Sequence, residues 1–384
     1  MQKNYDVIVI GVGSMGSASM YHLAKAGLNV LGLEQFNIVH QNGSYHGETR
    51  IIRFSYDEGR QYVDLALHAR TLWQDLEQES RSHIFYPIGG LYIAEDGYSR
   101  FFDTPIQIAK DYGFDHEILD HQHINERFPA FNLKSGYKGF YEKDSGYLVP
   151  ENAITAHVQM AQKHGADILD NTLVIDIKVQ GDTIEVKTDK DIFSCAKLIV
   201  SAGAWMSTLL PTLKEKITLS RNVICWFQPK HPEKCNNRNM PIYTISDHLS
   251  QRKGAAYGFP IHCIPGIKFA LHDENAATTL ETLDRTVTQK EIDDLYTHAK
   301  HYFDLEDVGA VHSSVCLYSM TPDKHFILGA HPEHENIFLA GGFSGHGFKF
   351  SSVVGEIMKD LITTKQCQFD LSSFAPRRFM NGNV

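Results

Sequence analysis

The sequence comprises 384 residues, of which 42% are hydrophobic and 21% charged, as in an ordinary globular protein large enough for two domains. Its formal net charge of −10 argues against nucleic acid or an anionic membrane as the main partner. No apolar run approaches the roughly 20 residues that a membrane-spanning helix needs. Glycines interrupt the apolar N-terminal stretch, which is unlike a signal peptide. We therefore expect a cytoplasmic protein without a membrane partner.

Cysteine and histidine spacing does not favour a metal site. The six cysteines are scattered, with no C-x-x-C pair, so neither a zinc site nor a redox pair is expected. Two histidine pairs, His121/His123 and His331/His334, could suggest metal binding. Both lie in polar, loop-like stretches, which favours surface histidines. The sequence therefore predicts no bound metal.

The N-terminal stretch has the pattern of a dinucleotide-binding unit. An entirely β-branched run, Val7 to Ile10, leads into Gly11-Val-Gly13-Ser-Met-Gly16, then a helical apolar stripe and a second apolar strand that ends at Glu34. In this pattern the glycines allow a tight turn, close approach of a diphosphate and helix–strand packing. The acid can accept hydrogen bonds from ribose hydroxyls. The motif does not distinguish NAD from FAD, and a structural glycine turn is the alternative.

A polar, glycine-bearing stretch follows Glu34 and contains Arg50 and Arg53. If the stretch is helical, the two arginines share a face. They could form a basic pair on the surface. They could instead clamp an anion near the cofactor, since loops beyond strand ends hold ligands in open α/β sheets.

The middle of the chain alternates helices and strands. Apolar periodicity predicts helices at 59–79, 101–112, 124–128 and 150–163, with strands at 90–94 and within 136–149. A hairpin is predicted at 174–188, with its turn at Gly181-Asp182. The strand at 197–204 ends in small residues. It suits a cofactor contact and a plain core strand equally well.

Short strands without intervening helices are predicted at 223–227, 242–245, 256–259 and 267–271, which is typical of an antiparallel sheet. Strand alternation places Lys268 and His272 on one face, opposite the apolar Ile267 and Phe269. The pattern alone favours simple solvent exposure of that polar face over a functional role.

The C-terminal part returns to the character of the N-terminal part. A helix at 289–303 precedes strands at 313–318, 326–329 and 336–340, and a glycine-rich turn at 341–347 leads into a helix at 351–362. Helix N–H groups at this turn would face the ligand of the first motif, so both chain ends would build one cleft. The stretch Gly342-Phe-Ser-Gly-His346 is not a nucleophile elbow, because His346 replaces the required glycine.

These patterns predict an α/β protein of two domains. A Rossmann-like cofactor domain would comprise residues 1–85, 145–218 and 310–384. A substrate domain with a mainly antiparallel sheet would comprise residues 86–144 and 219–309.

Several motifs together resemble the monomeric sarcosine oxidase family of flavoproteins, which includes N-methyl-L-tryptophan oxidase. They are the N-terminal motif, Asn42-Gly-Ser-Tyr-His-Gly-Glu-Thr-Arg50-Ile-Ile-Arg53, Tyr257-Gly-Phe-Pro260, Val315-Cys316, Pro322-Asp-Lys-His-Phe326 and Gly342-Phe-Ser-Gly-His-Gly-Phe-Lys349-Phe350. They run in the same order over nearly the whole chain. Two departures are Tyr45, where a histidine is common, and the stretch His262-Cys-Ile-Pro265.

The resemblance implies a monomeric two-domain flavoprotein that binds FAD covalently, through an 8α-cysteinyl thioether at Cys316. It implies oxidative demethylation of an N-methyl amino acid by O2, giving the amino acid, formaldehyde and hydrogen peroxide. The sequence does not choose between sarcosine, N-methyltryptophan, pipecolate and a glycated amino acid. The alternatives are an amine dehydrogenase with another electron acceptor and a nucleotide-binding regulatory module without turnover.

The resemblance also assigns roles to residues. Arg53 and Lys349 match the clamp for the substrate carboxylate, and Tyr257 and His272 match residues that line the substrate pocket. Lys268 matches the lysine that activates oxygen, and Arg50 the arginine against the flavin ring. The residues implied at the cofactor are Gly11, Gly13, Ser14, Met15, Gly16, Glu34, His46, Arg50, Val174, Ala202, Gly203, Cys316, Gly342, Gly345, Phe348 and Lys349.

Overall fold

The computed structural model describes residues 4–56, 58–98, 100–250, 254–272 and 276–379. The α-helices in these ranges are α1 (Ser14–Lys25), α2 (Gln61–Ser80), α3 (Arg100–Tyr112), α4 (His121–Arg127), α5 (Pro150–Lys163), α6 (Met206–Leu209), α7 (Gln289–Ala299) and α8 (Ser351–Thr363). The predicted helices agree with α2 to α5 and α8 within a few residues. The helix predicted at 289–303 ends earlier, at Ala299.

The β-strands are β1 (Asn4–Ile10), β2 (Val30–Leu33), β3 (Arg50–Ile52), β4 (Phe85–Tyr86), β5 (Gly90–Glu95), β6 (His116–Asp120), β7 (Tyr137–Glu142), β8 (Gly146–Leu148), β9 (Asp167–Leu169), β10 (Val174–Gln180), β11 (Thr183–Thr188), β12 (Ile192–Val200), β13 (Thr218–Pro229), β14 (Ile242–Ser246), β15 (Ala256–Phe259), β16 (Ile267–Leu271), β17 (Ala277–Thr278), β18 (Leu305–Met320), β19 (Ile327–Ala330) and β20 (Ile337–Gly341). They form three sheets.

The first sheet has a parallel core in the order β20-β12-β1-β2-β9. The antiparallel hairpin β10–β11 pairs with the first half of β12, and β19 pairs antiparallel with β20. Val7 and Val9 of β1 pack in the cluster that contains α1, α5 and α8, whereas Ile8 and Ile10 pack on the opposite face. Both faces of β1 are therefore buried, which confirms the expectation from its β-branched run. The predicted α/β class with a Rossmann-like sheet is confirmed.

The second sheet runs β17-β13-β16-β15-β14-β5-β7-β6, with β18 on the other edge of β13. Its pairs are antiparallel except β14 with β5, which is parallel. The strands predicted at 223–227 and 313–318 are much longer as β13 and β18, because these two strands pair along their whole length. The mainly antiparallel character that we predicted is confirmed, with one parallel exception.

A third, small antiparallel sheet has the strand order β3-β8-β4. Arg50 to Ile52 pair with Gly146 to Leu148, so the helical alternative for the Arg50–Arg53 stretch is wrong. The strand places Arg50 and Ile52 on one face and Ile51 on the other.

The two larger sheets draw their strands from different parts of the chain. Residues 310–320, which the sequence assigned to the cofactor domain, pair with β13 in the second sheet. The predicted division into two domains stays a prediction. Some residues of its ranges, including 1–3 and 380–384, lie outside the described residues.

Candidate active site

The turn between β1 and α1 depends on its glycines. Gly11 has a φ of +86°, and a Cβ there would lie 2.7 Å from the carbonyl oxygen of Ser201. A Cβ on Gly16 would lie 1.8 Å from the carbonyl oxygen of Gly11, so only glycine lets α1 approach the turn this closely. Gly13 is the N-cap of α1, and no side chain of a described residue caps the helix. Its first N–H groups are therefore available to an anion.

Glu34 is buried at the end of β2. Its Oε2 accepts the N–H of Val12 at 2.9 Å, and its Oε1 accepts the N–H of Phe36 at 3.1 Å. The carboxylate thus ties the strand end to the glycine turn. Each carboxylate oxygen has more than one lone pair, which leaves acceptor capacity for the ribose hydroxyl that the sequence predicts here.

A cavity of about 1300 Å³, part of it open to solvent, lies at the carboxyl ends of the parallel strands. This is the edge at which open α/β sheets bind ligands. The predicted cofactor residues that line it are Gly11, Gly13, Ser14, Met15, Glu34, Arg50, Val174, Ala202, Gly203, Gly342, Gly345 and Phe348. Four other predicted cofactor residues, Gly16, His46, Cys316 and Lys349, do not belong to its lining.

The sequence interpretation missed several aromatic residues of the lining, among them Tyr45, Trp205, Tyr318 and Phe343. Tyr318 could have been found, because it follows Cys316 by two residues in β18 and therefore shares its face. Trp205 lies beyond the predicted strand at 197–204, and its ring is 5.5 Å from that of Phe36. No local pattern marks Trp205 as a lining residue.

Arg50 brings together the stretch after Glu34 and the buried Cys316. Its Nη2 lies 3.4 Å from Sγ of Cys316 and donates to the carbonyl oxygens of Ser44 at 2.9 Å and His46 at 2.6 Å. Nε2 of His46 lies 2.9 Å from the Val315 carbonyl oxygen. Burial, with the nearby Arg50 guanidinium, lowers the pKa of His46 to about 3, so this imidazole is neutral near pH 7.

Lys268 is 1% exposed, so the solvent-exposed interpretation of its strand face is wrong. Its Nζ donates to the carbonyl oxygens of Gly47 at 2.7 Å and Thr49 at 3.0 Å. The rings of Trp226 and Phe259 lie 5.3 and 4.8 Å from the same atom. Burial and then Arg50 lower the pKa of Lys268 well below its usual value. The alternation of β16 is as predicted, but other elements cover the polar face.

Tyr318 connects Tyr257 to His272. Its hydroxyl lies 3.4 Å from the hydroxyl of Tyr257 and 3.3 Å from Nδ1 of His272. A Cβ on Gly345 would lie 2.8 Å from the Tyr318 ring and 2.9 Å from Cε1 of His272. The glycine at 345 thus lets the C-terminal turn approach this group of polar rings closely.

Arg53 and Lys349 both lie near the ring of Tyr56. The guanidinium of Arg53 lies 4.7 Å from the Tyr56 ring and donates to both carboxylate oxygens of Glu58, at 2.8 and 2.9 Å. Nζ of Lys349, which is buried, donates to the hydroxyl of Tyr56 at 3.1 Å and to the carbonyl oxygen of His346 at 2.8 Å. Two cations are thus held around one phenol ring.

Two glutamates hold the backbone on both sides of β3. Oε1 of Glu151 accepts the N–H groups of Gly47 at 3.0 Å and Glu48 at 3.2 Å. Glu142, which is buried, accepts the N–H groups of residues 54 and 55 at 3.1 and 2.9 Å. The segment that carries both arginines is therefore fixed at each end by a carboxylate.

The predicted site residues form two adjoining groups. Arg50, Lys268 and Cys316 are connected through the contacts of Arg50 and the shared carbonyl of Thr49. Arg53 and Lys349 form the second group around Tyr56. The Tyr56 hydroxyl lies 2.8 Å from Nδ1 of His346, and the neighbouring Gly345 packs against Tyr318 and His272, so the Tyr56 group adjoins the polar rings. Burial and Lys349 lower the pKa of His346 well below its usual value.

A family model described as FAD dependent oxidoreductase matches residues 6–361. The chain belongs to this family. The match extends from the first strand to the last helix and so includes both large sheets. The predicted resemblance is confirmed.

Curated relatives of this oxidoreductase align over almost the entire chain. Monomeric sarcosine oxidase from Bacillus sp. (strain NS-129) is 37% identical over 382 residues, with 98% of each chain covered. The enzyme of the same name from Streptomyces avermitilis is 36% identical over 387 residues, again with 98% of each chain covered. N-methyl-L-tryptophan oxidase from Shigella dysenteriae serotype 1 is 34% identical over 378 residues, covering 98% of this chain and 99% of the relative.

Solved structures share the fold of this FAD-dependent oxidoreductase. NikD, described as an unusual amino acid oxidase essential for nikkomycin biosynthesis, matches with a TM-score of 0.85 and 22% identity, covering 97% of this chain and 98% of NikD. Glycine oxidase from Geobacillus kaustophilus matches with a TM-score of 0.81 and 22% identity over 97% and 98% of the two chains. At these identities the likeness shows the fold alone.

The cavity of this family member fits FAD. The N-terminus of α1 offers uncapped N–H groups beside Gly13, as a diphosphate requires. Gly203 has a φ of +52°, and a Cβ there would meet nothing within 4 Å, so the backbone leaves room along the cavity wall. Glu34 retains acceptor capacity for a ribose. Arg50 and Tyr318 line the same cavity and supply the polar groups that a ring system needs for orientation.

Three further features of the oxidoreductase concern metal binding, the histidine pair at 331 and 334, and membrane-spanning helices. Among the described residues, no group of three or more His, Cys, Asp or Glu is arranged to hold a metal ion. His331, expected at the surface, is buried, and its ring stacks on that of His334 at 5.3 Å. A search of the described helices finds none with the length and apolar character of a membrane span.

Replacing Gly16 with Ala should damage both fold and cofactor binding. The new Cβ would overlap the Gly11 carbonyl oxygen, which is backbone and cannot move away alone. We expect a loss of about 3 kcal/mol in unfolding free energy and a marked fall in flavin content. Denaturant unfolding and visible absorbance measure the two effects.

The matched control is Gly27→Asn at the other end of the same helix. Nothing lies within 4 Å of a Cβ there, and asparagine tolerates the positive φ of this position. Equal losses in the two variants would contradict the packing role of Gly16.

Proposed function

We propose that the protein is an FAD-dependent oxidase of N-methyl amino acids. The balanced reaction consumes the N-methyl amino acid, O2 and H2O and gives the amino acid, formaldehyde and H2O2. The observation that carries the proposal is the convergence of Arg50, Lys268 and Cys316 beside the cofactor cavity. The sarcosine and N-methyltryptophan oxidases, at 34–37% identity over nearly the whole chain, support the choice of substrate class.

Arg53 and Lys349 are the proposed carboxylate clamp. Both cations lie beside Tyr56, and an arginine binds a carboxylate in bidentate fashion. Arg53 is engaged by Glu58, whose side chain is one third exposed. A substrate carboxylate would take the place of Glu58 on the guanidinium. Clamping the carboxylate fixes the N-methyl group relative to the cavity and makes the reaction effectively intramolecular.

Tyr257, Tyr318 and His272 are the proposed polar wall around the substrate amine. Their hydroxyl and imidazole groups are within hydrogen-bond reach of one another. The connected group can therefore accept or donate a proton at the amine without a large movement of any one ring.

FAD, when bound, supplies the two-electron redox chemistry that joins amine oxidation to O2 reduction. Lys268 is the proposed cation at the oxygen site. It is held by fixed backbone carbonyl groups in a dry environment, where a preorganised charge acts most strongly on developing negative charge. Arg50 adds a second fixed cation at the cavity wall.

We propose Cys316 as the point of covalent attachment to FAD. Its thiol is buried, and its Sγ lies 3.4 Å from Nη2 of Arg50, a residue that lines the cavity. The other buried thiols, at positions 195, 225 and 235, lie in apolar clusters and do not line the cavity. We also propose the two-domain division given by the sequence, a monomeric state and a cytoplasmic location.

The reaction is tested by mixing the enzyme anaerobically with a panel of secondary amines. Sarcosine, N-methyl-L-tryptophan, pipecolate and a fructosyl amino acid should separate the substrate classes through loss of visible flavin absorbance. On admitting oxygen we expect about one H2O2 per turnover. The methyl ester of the best substrate should bleach the enzyme poorly, because it lacks the carboxylate that Arg53 and Lys349 bind.

Full bleaching with little peroxide would favour a dehydrogenase that uses another acceptor. Absence of bleaching with every amine would contradict the oxidase proposal and favour a regulatory nucleotide-binding module.

Replacing Cys316 with Ala should release the cofactor. We expect wild-type protein to keep its yellow colour in an acid precipitate, whereas the variant loses the colour to the supernatant. The matched control is Cys195→Ala, which removes a thiol that is equally buried but lies in an apolar cluster. Colour that leaves the wild-type precipitate would refute the covalent bond.

Replacing Lys268 with Met should slow reoxidation of the substrate-reduced enzyme by about 100-fold or more, the scale of losing one preorganised charge. Anaerobic reduction by substrate should change far less. The control is Lys349→Met at another buried lysine, which should instead weaken substrate binding. Stopped-flow measurement of both half-reactions distinguishes them, and equal slowing of the two half-reactions in Lys268→Met would argue against the assigned role.

A further inference from the structure

The turn formed by residues 47–49 is strained. Gly47 has a φ of +107° and Glu48 a φ of +67°, and the N–H of Thr49 donates back to the Gly47 carbonyl oxygen at 2.8 Å. A residue other than glycine in the left-handed region costs on the order of 1 kcal/mol. Such a conformation persists when the surrounding structure enforces it.

Two charged side chains hold this turn through opposite sets of backbone groups. Lys268 donates to the carbonyl oxygens of Gly47 and Thr49. Glu151 accepts the N–H groups of Gly47 and Glu48 with a single carboxylate oxygen. Successive N–H groups that converge on an anion form a backbone nest. The backbone of residues 47–49 therefore connects the Lys268 ammonium to the Glu151 carboxylate, and the position of the ammonium depends on that carboxylate.

Glu151 lies in the first turn of α5, at the positive end of the helix dipole. Glu48 accepts the N–H of Ile264. The Oε2 atoms of Glu48 and Glu151 are both buried without a hydrogen-bond partner among the described residues. Burial raises the pKa of Glu48, and the nearby Lys268 opposes this rise. Glu151 interacts electrostatically with both Lys268 and Arg50, the cations that a buried carboxylate needs nearby.

The charged or titratable groups that act on Lys268 come from every element around it: Arg50 of β3, Cys316 of β18, Glu151 of α5, Glu48 of the turn, and the neighbouring His46 and His262. Arg50 opposes the protonated state of Lys268, whereas Glu151 and Glu48 favour it. Removing either carboxylate lowers the pKa of Lys268 further, so the ammonium is lost at a lower pH.

We propose that Glu151 is a positioning residue for Lys268: its carboxylate holds the turn in the conformation that seats the ammonium, and with Glu48 it balances the charge at the oxygen site. The inference rests on the proposed function of Lys268. It assigns the oxygen half-reaction a residue on α5 that does not line the cofactor cavity.

The test is Glu151→Gln in the holoenzyme, compared with Glu48→Gln. The amide introduced at position 151 retains an oxygen that can accept the two N–H groups but loses the charge. We expect reoxidation near neutral pH to slow about tenfold, and its decline with rising pH to begin about one pH unit lower than in wild type. The rate of anaerobic reduction should stay within about twofold of wild type, because the substrate groups are not altered.

A second readout does not depend on activity. Amide hydrogen exchange of a peptide covering residues 46–50 should rise in Glu151→Gln, whose neutral amide binds the turn more weakly. In Glu48→Gln the exchange should stay as in wild type, since Glu151 still holds the turn, while the pH profile of reoxidation shifts downward. If Glu151→Gln does not fold, this shift in Glu48→Gln still tests the charge balance, and its absence contradicts the proposal.

The matched control is Glu142→Gln, which alters the buried glutamate at the other end of the same segment. It should leave the pH profile of reoxidation unchanged, because Glu142 holds residues 54 and 55 on the substrate side.

The outcomes separate this inference from the proposed function. Suppose that Lys268→Met is reoxidised slowly, whereas Glu151→Gln keeps the wild-type reoxidation rate and pH profile. This result overturns the role of Glu151 and leaves that of Lys268 intact. Normal reoxidation in Lys268→Met overturns both.

Discussion

The site depends on burying two like charges side by side. Arg50 and Lys268 donate to the same acceptor, the carbonyl oxygen of Thr49. In a dry interior their repulsion is only weakly screened. It is offset by several backbone carbonyl groups, by the aromatic faces beneath the ammonium and by the carboxylates of Glu48 and Glu151. The tight packing around this pair follows from the need to keep all these partners in place at once.

The segment from residue 47 to residue 55 connects the two halves of the proposed reaction. Its first part meets Lys268 and Cys316, and its last part leads to Arg53 and Tyr56. Glutamates fix both ends, while β3 pairs the middle with β8. The parallel sheet supplies the cofactor cavity on one side, and the antiparallel sheet supplies Lys268 and the polar rings on the other. In the proposed function, this short stretch of chain sets the distance between the carboxylate clamp and the oxygen site.

The sequence predicted those features that depend on local patterns. The Gly11–Gly16 turn, the parallel sheet and the glycine-rich C-terminal turn follow from periodicity and glycine spacing alone. Twelve of the sixteen predicted cofactor residues line the cavity, but most of its other lining residues were not predicted. Local alternation placed Lys268 on the correct face of β16 but suggested that this face meets solvent. The 47–49 turn and Trp226, which are distant in sequence, cover this face. The residues near Lys268 in the sequence therefore do not indicate that it is buried. Glu151 was missed for the same reason.

The strand β18 carries both Cys316 and Tyr318, and it pairs with β13 along its full length. Because side chains alternate with a period of two, a slip of one residue between these strands would turn both toward the opposite side of the sheet together. The pairing of β13 with β18 therefore fixes the position of Cys316, the proposed attachment site of FAD. It also fixes the position of Tyr318, which belongs to the proposed polar wall around the substrate amine. An inserted residue in β13 beside Asn222, the partner of Cys316, would displace both side chains, whereas the far end of β13 already contains register shifts between residues 226 and 229.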